Sequence, residues 1–168
     1  MGGIGLAVVL ALVGVLHTHI TVMPKYGVKV TVDKRADFSR HKTYCWSPGW
    51  KVFDRAIDEG IVAAVDRELA AVGLAKRDRE PADLIVTYAS LRRTDVDLRA
   101  KKLPGSLVYP EYPVGTLIVL VREPVTLREL YRARADIKLE TDPSKLQGQF
   151  DDVVAQMFER YPTRKPRQ

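Results

Sequence analysis

Hydrophobic and polar residues alternate at the start of the charged part of the chain: Val28, Val30 and Val32 take every second position, between Lys29, Thr31 and Asp33. A period of two predicts a strand with one buried face. A turn at Ala36-Asp37-Phe38-Ser39 leads into Lys42 to Trp46, an aromatic-rich run suited to a second strand and stopped by Ser47-Pro48-Gly49. The period then changes. Ile57, Ile61, Val65, Leu69 and Val72 recur at three- and four-residue steps, which predicts a helix with Asp54 as N-cap and Gly73 as its C′ residue. Gly60 weakens that helix by about 1 kcal/mol relative to Ala, and close packing is the expected reason for its presence.

After a turn at Glu80-Pro81-Ala82-Asp83, Leu84 to Ala89 begins a third strand that runs on toward Leu98 with Arg92, Arg93, Asp95 and Asp97 exposed. Lys101 to Pro113 holds Pro104, Gly105, Pro110 and Pro113, and reads as a loop long enough to be functional. Leu117 to Val121 is a continuous apolar run fit for a central strand. Tyr131, Ala133, Ala135, Ile137 and Leu139 alternate with Arg132, Arg134, Asp136 and Lys138, and supply its hairpin partner. Asp142-Pro143 starts a last helix whose stripe is Leu146, Phe150, Val153, Val154, Met157 and Phe158. The expected architecture is α+β: a largely antiparallel five-stranded sheet in the order β-β-α-β-β-β-α, with its helices on one face and an apolar helix in front of it.

That apolar helix is expected because Gly2 to Leu16 contains only Gly, Ala, Val, Leu and Ile, and no formally charged side chain appears before Lys25. Extended through Met23, the run spans roughly 33 Å as a helix, enough for a bilayer core. It lacks the basic n-region of a cleaved signal, and Leu16-His17-Thr18-His19 offers no small-x-small cleavage site. Leu12-Val13-Gly14-Val15 looks like a bacterial lipobox with Val15 in place of the lipidated cysteine, so an uncleaved anchor over residues 2–23 is the expectation. Lys25, Lys29, Lys34 and Arg35 follow the run while nothing basic precedes it. Charge alone would therefore hold the domain in the cytoplasm.

The 168 residues suffice for this segment (1–23), one domain (24–162) and a basic tail (163–168). A net charge of +6 permits acidic partners without selecting one. Cys45 is the single cysteine, which excludes an intrachain disulfide and a Cys-based zinc site; between Tyr44 and Trp46 it reads as an inert, buried thiol. There is no Gly-rich phosphate loop, G-x-S-x-G elbow, helical His pair or Cys-x-x-Cys, so no catalytic, cofactor-binding or metal-ligating residue is assigned. The strands lack the aromatic pattern that stacks RNA bases, and nucleic acid is not the expected partner.

Two groups are candidates for contact with a ligand or partner. Asp95 and Asp97 share a predicted strand face, although the neighbouring Arg92, Arg93 and Arg99 favour a solvated charged strand over a carboxylate pair. Tyr109 and Tyr112, beside Pro110 and Glu111, can line an apolar groove or pin their loop to the sheet.

Three blocks in order, Val28 to Trp46, Pro81 to Tyr88 and Tyr112 to Ala133, resemble the bacterial envelope family called domain of unknown function 4136, many of whose members are lipoprotein-like; Asp142 to Pro162 is similar to its closing segment. Cys45 stands where that family usually has Ala, Leu120 where it commonly has Asp, and Leu127 where its hairpin turn commonly has Gly. The resemblance implies an α+β fold and an extracytoplasmic, cell-envelope location, opposite to the charge asymmetry, and it supplies no catalytic residues. The expected function is a non-enzymatic, membrane-anchored domain that contacts an envelope protein, lipid or cell-wall component through Lys101 to Pro113. The alternative is an enzyme or small-ligand carrier with its site near that loop.

Overall fold

The computed structural model describes residues 26–49, 52, 54–105 and 107–165. The apolar helix expected over 1–23 lies outside them. Among the described residues, no helix is long and apolar enough to cross a membrane.

The chain forms β1 (Gly27–Val32), β2 (Thr43–Trp46), α1 (Arg55–Ala71), β3 (Ala75–Arg77), β4 (Leu84–Val96), β5 (Glu111–Arg122), β6 (Glu129–Lys138) and α2 (Pro143–Phe158). The strands make one six-stranded sheet in the order β1-β6-β5-β4-β2-β3. The pairings β1–β6, β6–β5 and β5–β4 are antiparallel; β4–β2 and β2–β3 are parallel. The α+β class is as expected, but five strands become six. The added strand, β3, is three exposed residues with no apolar alternation. Its pairing with β2 is made by backbone after α1 has carried the chain back, so side-chain periodicity holds no trace of it.

The helices begin where the caps predict. Asp54 accepts from the Ala56 and Ile57 amides, and Asp142 accepts from Ser144 with Pro143 at the first turn. Gly73 has φ +92° just past the end of α1, the left-handed geometry that ends helices. Both helices cover one face of the sheet. Ile61, Val65 and Leu69 from α1 and Val153, Val154, Met157 and Phe158 from α2 close over Val86, Val119, Val121, Ala133 and Ala135, all essentially inaccessible to water. Each fully buried aliphatic or aromatic side chain contributes roughly 1.5–3 kcal/mol. A Cβ on Gly60 would come within 2.3 Å of Gln147 Oε1 on α2, so the expected close packing is present at the helix–helix contact.

Packing continues past the boundary expected for the basic tail. Thr163 Oγ1 donates to Val72 O at 2.9 Å, and Arg164 pairs with Glu68 at 2.6 Å with both side chains about nine-tenths buried.

Several residues of the first two family-like blocks hold this scaffold together. Asp37 caps a short 3-10 turn by accepting from Ser39 N and Oγ. Asp83 Oδ2 accepts from Lys42 N, Thr43 N and Thr43 Oγ1 at 2.8, 2.9 and 3.0 Å, tying the start of β4 to the start of β2. Asp66 on α1 accepts from Tyr44 Oη at 2.7 Å and Trp46 Nε1 at 2.8 Å, and pairs with Lys76 on β3. Cys45 is buried, and burial raises its thiol pKa, with a smaller push from Glu80. The burial is as expected.

Candidate functional site

The strands β4 and β5 outrun the rest of the sheet. β6 ends at Lys138, opposite Val114, and beyond it only β4 and β5 pair, with Thr94 opposite Pro113 and Val96 opposite Glu111. The result is a two-stranded ribbon. Pro113 is tolerated there because it lies at the margin of β6: it has no N–H to offer, and its carbonyl accepts from Leu139 N at 2.9 Å. The expected loop over 101–113 is therefore displaced. The strand predicted to reach Leu98 stops at Val96, β5 already begins at Glu111, and the tip runs from 97 to 110.

The four candidate residues fall in three places. Asp95 and Tyr112 are opposite each other in register, on the sheet face away from the helices. Asp97 lies past the end of β4, where Oδ1 accepts from Arg99 N at 3.0 Å and Ala100 N at 3.2 Å, so its carboxylate shapes a turn. Tyr109 is in the tip, with Lys102 Nζ 5.4 Å from its ring centroid. Tyr112 is likewise under a cation, Lys138 Nζ at 4.9 Å. Asp95 and Asp97 do not form a carboxylate pair in this arrangement.

Asp95 belongs instead to a charged network across three strands. Arg93 grips it through Nε at 2.9 Å and Nη2 at 3.2 Å, and reaches Thr116 Oγ1 at 3.1 Å and Asp136 Oδ1 at 3.2 Å. Thr116 Oγ1 also donates to Asp136, and Arg134 holds the far oxygen of Asp136 at 3.1 Å. Arg134, then Thr116 and Arg93, outweigh desolvation and lower the Asp136 carboxyl to about 2. The Arg93 pKa is raised, first by Asp95 and then by Asp136. Such mutually satisfied groups fix the base of the ribbon. Among the described residues, no group of three or more His, Cys, Asp or Glu side chains can hold a metal ion.

The tip itself is apolar and basic. Leu98 is 71% exposed, Leu107 84%, and Leu103 and Val108 about half, beside Arg99, Lys101 and Lys102. Sequence reasoning singled out the tyrosines of this segment and passed over these four aliphatic residues. Their signal was present as large apolar side chains in a Pro- and Gly-containing loop, where no periodicity assigns them to a core.

A second concavity lies on the helix side at the root of the ribbon. This cleft of about 680 Å³ is floored by Leu117, Ile137 and Phe150, walled by Ile57 and Leu146, and has Arg92 at its rim. It assembles from both helices and three strands, and sequence reasoning did not find it.

The family model described as Domain of unknown function (DUF4136) matches residues 28–163. No curated protein sequence matches the chain. Among solved structures, it is similar to a PDZ domain protein from Parabacteroides distasonis, with a TM-score of 0.57 and 19% identity, over 83% of this chain and 36% of that one. The chain thus spans about a third of that protein. It is also similar to the PelC dodecamer from Paraburkholderia phytofirmans, with a TM-score of 0.54 and 14% identity, over 84% of this chain and 99% of PelC. At such identities these likenesses show the fold alone.

Proposed function

The chain belongs to the family described as Domain of unknown function (DUF4136), and from that premise we propose a non-enzymatic envelope domain, anchored in a membrane by residues 2–23, that binds another envelope component through the tip of the β4–β5 ribbon. The apolar tip carries this reading. Leu98, Leu103, Leu107 and Val108 stand in water on a projection that contributes nothing to the core. Clustered exposure of this kind marks contact surfaces. Asp95 and Asp97 support a binding role over catalysis, because Arg93 holds Asp95 and backbone amides engage Asp97.

The test shortens the ribbon. Asp97 N donates to Pro110 O at 2.8 Å, so the two ends are already paired and a two-residue Asn-Gly turn can replace residues 98–109. With variant and wild type both embedded in vesicles through residues 2–23, shortening is expected to lower at least tenfold the retention by the ribbon of cell-wall sacculi, of envelope proteins or of a second population of envelope-lipid vesicles, assayed separately. Unchanged retention in all three overturns the proposal.

The cleft favours a second reading, a carrier for a small apolar ligand, because its volume lies within the roughly 300–1,000 Å³ of ordinary ligand pockets. Ser90 lines it. Ser90→Phe, which fills the space, abolishes function under the second reading and spares envelope binding under the first.

A further inference from the structure

The strand register fixes the end of the sheet at which the chain enters β1. Gly27 is opposite Asp136, Asp136 opposite Thr116, and Thr116 opposite Leu91. The chain therefore enters β1 level with Leu91, at the end of the sheet from which the ribbon projects, while the β5–β6 turn occupies the other end. From Leu91 to Val96 the ribbon advances roughly 17 Å at about 3.3 Å per residue. Three strand steps of twist at about 20–25° each turn the ribbon away from β1. The tip consequently projects, sideways as well as forward, from the end of the sheet at which the chain enters β1.

The chemistry of the tip suits a lipid surface. Leu98, Leu103, Leu107 and Val108 offer apolar side chains to the interface, and Arg99, Lys101 and Lys102 lie beside them for anionic headgroups. Asp97 is the acidic residue within the tip, and its carboxylate is engaged by backbone amides. We infer that the ribbon tip is a second membrane contact, docking on anionic headgroups of the bilayer that the N-terminal segment enters. This rests on the anchored, tip-binding reading above and names its partner as lipid. The domain is then held at two points, its helix-free sheet face and cleft in fixed orientation to the surface.

The experiment uses the full-length chain in vesicles of phosphatidylcholine alone or mixed with phosphatidylglycerol. In a Cys45→Ala background, an environment-sensitive fluorophore is placed at Leu107→Cys, or at Thr126→Cys in the opposite turn as a control. The expected result is that the Leu107 probe is shielded from an aqueous quencher and reached by lipid-borne quenchers only when phosphatidylglycerol is present. The Thr126 probe stays in water. Lys101→Glu with Lys102→Glu lowers the shielded fraction at least tenfold, each basic residue near an anionic surface being worth about a fivefold factor.

A Leu107 probe open to water in both vesicle types overturns the lipid contact. If ribbon shortening then still abolishes retention by envelope proteins or sacculi, the tip binds a macromolecule and the broader proposal stands; if it does not, both fail. Shielding that ignores lipid charge and both substitutions overturns the headgroup contact. Extraction of the whole chain by alkaline carbonate removes the anchor on which the geometry depends, and overturns the inference with it.

Discussion

Leu127 is the residue at which the chain departs most instructively from the family pattern. It occupies φ +55° in the β5–β6 turn, a left-handed conformation that Gly adopts without strain and a branched-chain residue does not. Its side chain is more than half exposed and makes no compensating core contact. Leu127→Gly is expected to stabilise the fold by about 0.5–1 kcal/mol, read as a rise of a few degrees in Tm. At Asp136 the electrostatics give a pH dependence. Its carboxyl lies at about 2, below its ordinary value of 3.8, so the folded state binds this proton less readily than the unfolded one. The stability it contributes is complete above the ordinary value and is lost as pH falls through the folded one. Asp136→Asn should therefore flatten the fall in unfolding free energy between about pH 4 and 2, measured by urea denaturation. A slope equal to wild type would show that the Arg134 and Arg93 contacts do not bias this proton.

At the scale of elements, the weakest join is where the sheet changes from antiparallel to parallel. β2 is four residues long and β3 three, and Asp83 reaches across to hold two amides at the start of β2. Removing an acceptor shared by several donors costs about 1–3 kcal/mol. Asp83→Ala should speed hydrogen exchange at Lys42, Thr43 and Ala75, whose amide donates to Lys42 O, while β5 and β6 keep their protection. Equal loss across all strands would mean that β2 and β3 unfold only with the whole. The two helices were legible from their caps because Asp54, Gly73 and Asp142 act within a few residues of sequence. β3 and the early start of β5 were not, since both depend on a partner strand brought from elsewhere in the chain.

For the whole molecule, the core lies under the helices and the ribbon lies outside it. Shortening the tip by replacing residues 98–109 should leave global stability within about 0.5 kcal/mol, checked by thermal and urea unfolding. A larger loss would place the tip in the folding unit and remove the argument that it exists for contact.

What the sequence by itself determined was whatever is encoded locally: the apolar N-terminal run, both helices with their stripes and caps, the alternating strands β1 and β6, the α+β class, and the family. Family membership was legible because the blocks that resemble the family stand in order along the chain, and in this fold their Asp37, Tyr44, Trp46 and Asp83 hold the scaffold together. Tertiary structure alone decided the six-strand order, the parallel pairings, the separation of Asp95 from Asp97, the cleft, and the fact that the ribbon and the chain's entry into β1 share one end. The physical reason is the range of the interactions. Caps and periodicity act over three or four residues, whereas the register that aligns Gly27 with Leu91 runs through three backbone pairings between strands distant in sequence, which no side-chain pattern records.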